Sequence, residues 1–295
     1  HVNTVDLPSP DAPPDTWAQV LGIPATDDPH FLVLADPFTM DGEALLTGMD
    51  YAFPQAAKIG GLASGGTNSG PHGLFLNDDI FRQGAVGVGM TGNLLIDTVV
   101  AQGCRPIGQP MQVTEADRNL IVSVDGQSTV DRLQQIYESL PARDKELVHS
   151  NLFMGIAMNP IFEEGATGNF LIRNVLGISP QRNALAVGAL VREGQLVQFH
   201  VRDASTSSED LHRQLTRYME TAGQASPVGA LMFQCNGRGK YLYGRENHDS
   251  DLFTEMIGSI PLGGFFCNGE IGQVSGTTYL HGYTSSFALF RSKEG

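Results

Sequence analysis

Short apolar runs bounded by Gly, Asn, Asp or Pro recur along the 295-residue chain. They read as strands, because β-branched and aromatic residues suit a pleated, half-buried backbone. Phe31–Ala35, Gly73–Leu76, Gly84–Gly89, Leu94–Ala101, Leu120–Val124, Leu152–Met158, Phe170–Val175, Ala184–Val191, Leu196–Val201, Ala230–Phe233 and Phe287–Phe290 have this form. Ala184–Val191 and Leu196–Val201 are joined through Arg192-Glu193-Gly194-Gln195, which predicts a hairpin. Helical periodicity is rarer. Ser207–Glu220 opens on a serine, has acids in its first turn, places Leu211, Leu215, Tyr218 and Met219 on one face, and meets a stop signal at Gly223. Thr129–Leu140 carries Val130, Leu133, Ile136, Tyr137 and Leu140 on one stripe and ends at Pro141. Shorter helices are expected at Asp15–Leu21, Gly42–Met49 and Asp249–Ile257. Many strands with interspersed helices and no regular β-α-β alternation predict an α+β fold, with large, mostly antiparallel or mixed sheets and helices packed on their faces.

The order of elements repeats. Phe31–Asp36 is followed by a short helix, Pro54, Gly60-Gly61 and a terminal strand near Met90; Ala230–Cys235 is followed by a short helix, Pro261, Gly263-Gly264 and a terminal strand near Phe290. We read the two segments as pseudo-equivalent modules, with Gly60-Gly61 matching Gly263-Gly264 and Ser64 related to Cys267.

Composition narrows the function. Lys and Arg number 18 against 32 Asp and Glu, a formal charge of −14, so a phosphate-backbone partner is disfavoured and no nucleic acid is expected. No apolar run reaches the ~18 residues of a spanning helix, so membrane insertion is not expected either. Three cysteines, Cys104, Cys235 and Cys267, with no C-x-x-C spacing suit a reducing, cytoplasmic setting. The chain opens at His1 with no signal-peptide pattern, and the missing Met suggests a fragment or processed product.

Candidate chemistry gathers in Gly-rich strand-end loops. Cys235-Asn236-Gly237-Arg238-Gly239 follows a strand and is able to form an anion-binding nest, but it lacks the ending of a Walker loop. A nucleophilic role for Cys267, in a Gly-bounded turn with Glu270, needs a base such as His248 or His281; a buried structural thiol is the competing reading. The Cys, His and Asp residues of this region match no zinc or calcium spacing, and neither metal nor cofactor is expected. Arg105, Arg173, Arg202 and Arg238 flank strand ends in a chain with few cations, and guanidinium suits bidentate carboxylate recognition. Arg173, Arg202, Asp203, Cys235, Asn236, Arg238, Cys267 and Glu270 are therefore the candidate ligand-binding residues. One sheet edge is expected to collect them, with Arg holding a carboxylate and Glu270 and Asp203 an ammonium group, as suits an α-amino acid.

Gly103-Cys-Arg-Pro-Ile-Gly108, Phe170–Val175, Gln198–Asp203, Cys235–Gly239, His248-Asp249, Gly264–Gly272 and Leu280–Thr284 together resemble the FIST family, named for F-box proteins and intracellular signal transduction. The likeness runs from about Asp36 to Phe290. It places the latter part of a FIST N-terminal module in residues 1–108 and a C-terminal module in 109–295. The resemblance implies a cytoplasmic sensory domain of signal transduction that binds a small polar ligand such as an amino acid or organic anion, with a signalling protein as partner. It supplies no catalytic residues. A thiol-dependent hydrolase or transferase and a protein-interaction scaffold are the alternatives.

Overall fold

The computed structural model describes residues 1–158, 170–221 and 226–293. In chain order these form α1 (Pro14–Leu21), β1 (His30–Ala35), α2 (Gly42–Ala52), β2 (Lys58–Leu62), β3 (Leu74–Leu76), β4 (Asp79–Phe81), β5 (Ala85–Met90) and β6 (Leu95–Ala101). There follow β7 (Cys104–Asp117), β8 (Leu120–Val124), β9 (Gln127–Ser128), α3 (Thr129–Ser139), α4 (Ala142–Asn151), β10 (Leu152–Ala157), β11 (Phe170–Ser179), β12 (Ala184–Val187) and β13 (Leu196–Arg202). The chain closes with α5 (Ala204–Thr221), β14 (Gly229–Cys235), α6 (Lys240–Tyr243), α7 (His248–Ile257), β15 (Leu262–Cys267), β16 (Glu270–Val274), β17 (Thr277–His281) and β18 (Ser285–Arg291). The expected stop at Gly223 lies outside the described residues. Residues 1–101 with 210–295 make one compact unit and residues 102–209 a second.

The first unit is layered helix, sheet, sheet, helix. One sheet has the order β17-β16-β2-β1-β5 and the other β15-β14-β18-β6. Phe31, Val33 and Ala35 pack against Trp17, Leu45, Leu46 and Met49 of α1 and α2. The alternate residues Leu32 and Leu34 join Leu231, Phe233 and Ala288 between the sheets. On the far side, Ala230, Phe287 and Leu289 meet Leu211, Leu215 and Phe253 of α5 and α7. Both faces of each sheet are thus buried, which is why β1 and β14 are nearly unbroken apolar runs. Asp41 caps α2 by accepting the Ala44 amide at 2.9 Å, and α1 has Pro14 at its first position and left-handed Gly22 at its end. Gly48 of α2 lets Trp17 lie flush, since a Cβ there would sit 1.8 Å from the indole.

The repeated order of elements is real. β1 runs parallel to β2 and antiparallel to β5, and β14 runs parallel to β15 and antiparallel to β18. The match differs from the sequence expectation by one residue, however. Val33 pairs with Gly60 and Met232 with Gly264, so Gly60 corresponds to Gly264, Gly61 to Phe265 and Ala63 to Cys267. Gly60 has φ +142° and Gly264 φ +144°, and a Cβ at either would lie 1.8 Å from the carbonyl oxygen of its partner, Val33 or Met232. The glycine pairs therefore belong to strands. The segment 264–270, expected as one Gly-bounded turn, is the end of β15, a tight turn and the start of β16.

The second unit is a closed antiparallel barrel. The order β12-β11-β10-β13-β7-β8 is joined into a ring by β12 pairing with β8, and β9 extends β8 at the rim. Met111, Val113, Ile121, Met154, Leu185, Val197 and Phe199 share its core, with Leu133, Ile136 and Leu147 of α3 and α4 packed on it. β12 and β13 are not a hairpin. The turn at 192–195 forms, with Gly194 at φ +84°, but its backbone bonds go to Val113 of β7. β7 was hidden in the sequence by Pro106, Gly108 and Pro110; Gly108 and Pro110 sit where its register with β13 shifts, and left-handed Gly108 lies against Ile136.

Candidate functional site

β14 and β15 end side by side, with Cys235 in register with Cys267, and the chain then turns through the Cys235–Gly239 loop into α6 and α7. Gly239 and Asn247 take left-handed φ, +65° and +59°, which explains the Gly and Asn in this stretch. Fully buried Arg238 donates from Nε to Asp249 Oδ2 at 2.6 Å and from Nη2 to Tyr243 Oη at 2.7 Å. Asp249 Oδ2 also accepts Gln234 Nε2 at 2.6 Å, and its Oδ1 lies 2.8 Å from His248 Nδ1. The His248 ring stacks on Tyr243, centroids 3.5 Å apart. Burial works against both charges, but it is outweighed. Asp249 holds Arg238 above its ordinary pKa, and His248 and Arg238 hold Asp249 well below the usual carboxylate range.

A pocket of about 340 Å³ opens beside this network on the helix-bearing face of the sheet. It is lined by Met232, Gln234, Gly239, Asn247–Ser250 and the strand Leu262–Phe266. The pocket runs along β15 from its first residue and takes in Met232 and Gln234 of β14.

Five of the candidate residues lie at this strand end, but none of them lines the pocket. Cys235 N donates to Thr284 O at 3.0 Å and Asn236 N to Cys267 O at 3.1 Å. Glu270 is buried, accepting Thr284 N at 3.1 Å and Thr284 Oγ1 at 2.8 Å. Cys267 lies between the sheets, its Sγ filling the space a Gly61 side chain would need. Burial, reinforced by the Glu270 carboxylate, pushes its thiol pKa far up, so it is not a thiolate near neutral pH. No disulfide links Cys104, Cys235 and Cys267. Among the described residues no three His, Cys, Asp or Glu side chains are grouped to hold a metal ion.

The other three candidates belong to the barrel unit, so the eight do not share one sheet edge. Arg173 lies on β11 and donates to Ile172 O at 3.3 Å. Arg202 is buried at the end of β13, in register with Cys104. Asp203 caps α5, accepting Thr206 N at 2.8 Å and Ser205 Oγ at 2.9 Å, and it pairs with Arg105 Nε at 2.9 Å. Despite burial, these donors lower its pKa to about 2. The helix thus begins three residues before the expected serine. Arg105 bridges Asp203 to Asp144 on α4.

Sequence reasoning noticed His248 and Asp249 only as possible base, metal or helix-start residues, and it passed over Gln234, Tyr243 and Asn247. The spacing signal was weak, because the network joins a strand, a one-turn helix and a helix start.

The FIST N domain model matches residues 7–127 and the FIST C domain model residues 129–273. An uncharacterized protein of Mycobacterium tuberculosis is 40% identical over 260 residues, 88% of this chain and 67% of the relative. An F-box/LRR-repeat protein of Arabidopsis thaliana is 29% identical over 126 residues, 38% of this chain and 24% of its own. F-box only protein 22 of Homo sapiens is 36% identical over 75 residues, 20% of this chain and 19% of its own.

Proposed function

Since the chain belongs to the FIST family and carries both its N and its C domain, we propose that it is a sensory module binding a small polar ligand, an amino acid or organic acid, in the pocket between β15 and the start of α7. FIST domains are associated with sensory roles in signal transduction. The observation that carries the reading is the 340 Å³ pocket whose polar wall is held by a buried ion pair. Gln234 and His248 are fixed by Asp249, and a wall that is already oriented loses little entropy when a ligand binds. Arg238 does not itself line the pocket; it holds Asp249, which orients the Gln234 and His248 groups that do. Cys235 and Asn236 shape the adjoining loop. A cytoplasmic setting and a downstream signalling protein complete the proposal. Thiols without disulfides fit the first, and no helix among the described residues is long and apolar enough to cross a membrane.

A thermal-shift screen against amino acids and organic acids tests it. A ligand at 100 times its dissociation constant stabilises the fold by about 2.7 kcal/mol. The shift is expected to shrink in Asn247→Ala and His248→Ala. No shift from any compound, or an undiminished shift in both variants, removes the pocket from consideration. Rapid alkylation of Cys267 near neutral pH would instead favour a thiol-dependent enzyme.

A further inference from the structure

The equivalent strands β2 and β15 have different outer edges. β2 is buried along its whole length, because β16 adds antiparallel to it through Gly60 and Gly61. β15 is the edge of its sheet, and its residues 263–266 are all exposed, with Phe265 at 37% and Phe266 at 45%. Ala230 N donates to Pro261 O and Asn236 N to Cys267 O, so in this parallel pair residues 261, 263, 265 and 267 face β14. The N–H and C=O groups of Leu262, Gly264 and Phe266 therefore point out of the sheet; of these, Phe266 O accepts the Ser64 hydroxyl. Native edges are usually guarded by Lys, Pro or a bulge, and Leu-Gly-Gly-Phe-Phe-Cys contains none of these.

We propose that β15 is a docking edge for an extended segment of a partner protein, added antiparallel as β16 is on β2. The backbone is competent for this pairing, because Gly60, at the same unusual φ as Gly264, already pairs with Ile271. Strand addition also requires space for alternate side chains of the incoming segment. The pocket supplies it on the face that bears Leu262 and Phe266, against Asn247, His248 and Ser250 of the α7 start. Amide and imidazole groups on that wall suit a side chain ending in a hydroxyl or amide. A chain of formal charge −14 repels acidic segments, so the docking segment is neutral or basic. The proposal rests on the same pocket as the proposed function and names a peptide as its occupant.

The probe is a synthetic, end-blocked peptide copying residues 268–274 with Glu270→Gln, the strand that covers β2. Titrated into the whole protein, it is expected to bind saturably and to slow amide exchange in 262–267 at least about tenfold. A peptide N-methylated on its edge-facing amides is expected to lose binding, and one N-methylated on the opposite amides to keep it. The protein variant Leu262→Pro, which removes one outward donor, is expected to weaken binding at least about tenfold; because Leu262 also packs on the core beside Phe253 and Phe287, the methylated peptides carry the test independently of any loss of stability. The proposal is overturned by no saturable binding up to about 1 mM, by protection elsewhere, or by equal binding of the two methylated peptides. It is also overturned if 262–267 becomes protected with rising protein concentration alone, which would make a second copy the occupant. Small-molecule shifts without peptide protection would sink this inference and leave the proposed function standing; the reverse result would do the opposite.

Discussion

Arg238 and Asp249 bear most of the electrostatic load at the strand end, and the cost of separating them is predictable. Arg238→Ala leaves a buried carboxylate beside Gln234 and His248, and breaking such a pair costs about 3–5 kcal/mol. Urea unfolding is expected to show that loss, with the Arg238→Met and Asp249→Leu double variant recovering much of it; equal losses in single and double variants would contradict this. His200 in the barrel core makes a pH prediction. Burial lowers its pKa to about 4, against 6.5 in the unfolded chain. As pH falls, the unfolded state takes up the proton first, so stability is full above 6.5 and declines until pH 4, by on the order of 3 kcal/mol. Urea midpoints of wild type and His200→Gln between pH 7 and 4 measure it, and the variant is expected to lose that slope. Asp203 works through the same linkage at lower pH: its depressed pKa stabilises the fold above about 4, a contribution lost as pH falls towards 2.

At the scale of elements, the glycine pairs are the sharpest test of the pseudo-repeat. Gly60→Ala and Gly264→Ala each drive a Cβ into a carbonyl oxygen at a φ that L-residues rarely adopt, and each is expected to cost more than about 3 kcal/mol. Gly263→Ala meets only Leu231 at 3.4 Å, so a loss under about 1 kcal/mol is expected. Thermal melts of the three variants separate the register found here from the one a residue away, which makes Gly263 the strained position. Strands with strong apolar runs, such as β1, β13 and β18, were legible because their burial is written in their composition. β7 and β15 were not. Their prolines and glycines satisfy bulges and a close strand approach, and in a linear reading those residues look like turns. α4 was missed for the opposite reason, since Leu147 and Val148 are nearly all it offers the core.

For the whole molecule, the barrel is one continuous segment with its own core, whereas the layered unit needs both ends of the chain. Residues 102–209 expressed alone are therefore expected to give a β-rich circular dichroism spectrum and a cooperative melt; a featureless melt would show that the barrel depends on the rest of the protein. By itself the sequence determined the α+β class, most helices, the repeated strand-helix-strand order and the loop that carries Arg238. Those follow from local periodicity, capping and turn chemistry, which act over a few residues. Only the tertiary structure decided that the arginines part company, Arg173 and Arg202 going to the barrel and Arg238 to the strand end. It also decided that α7 returns Asp249 to Arg238 and that β16 covers β2 and leaves β15 open. Strand order and pairing between distant segments are set by which apolar faces and backbone edges are buried together, and no short stretch of sequence encodes that choice.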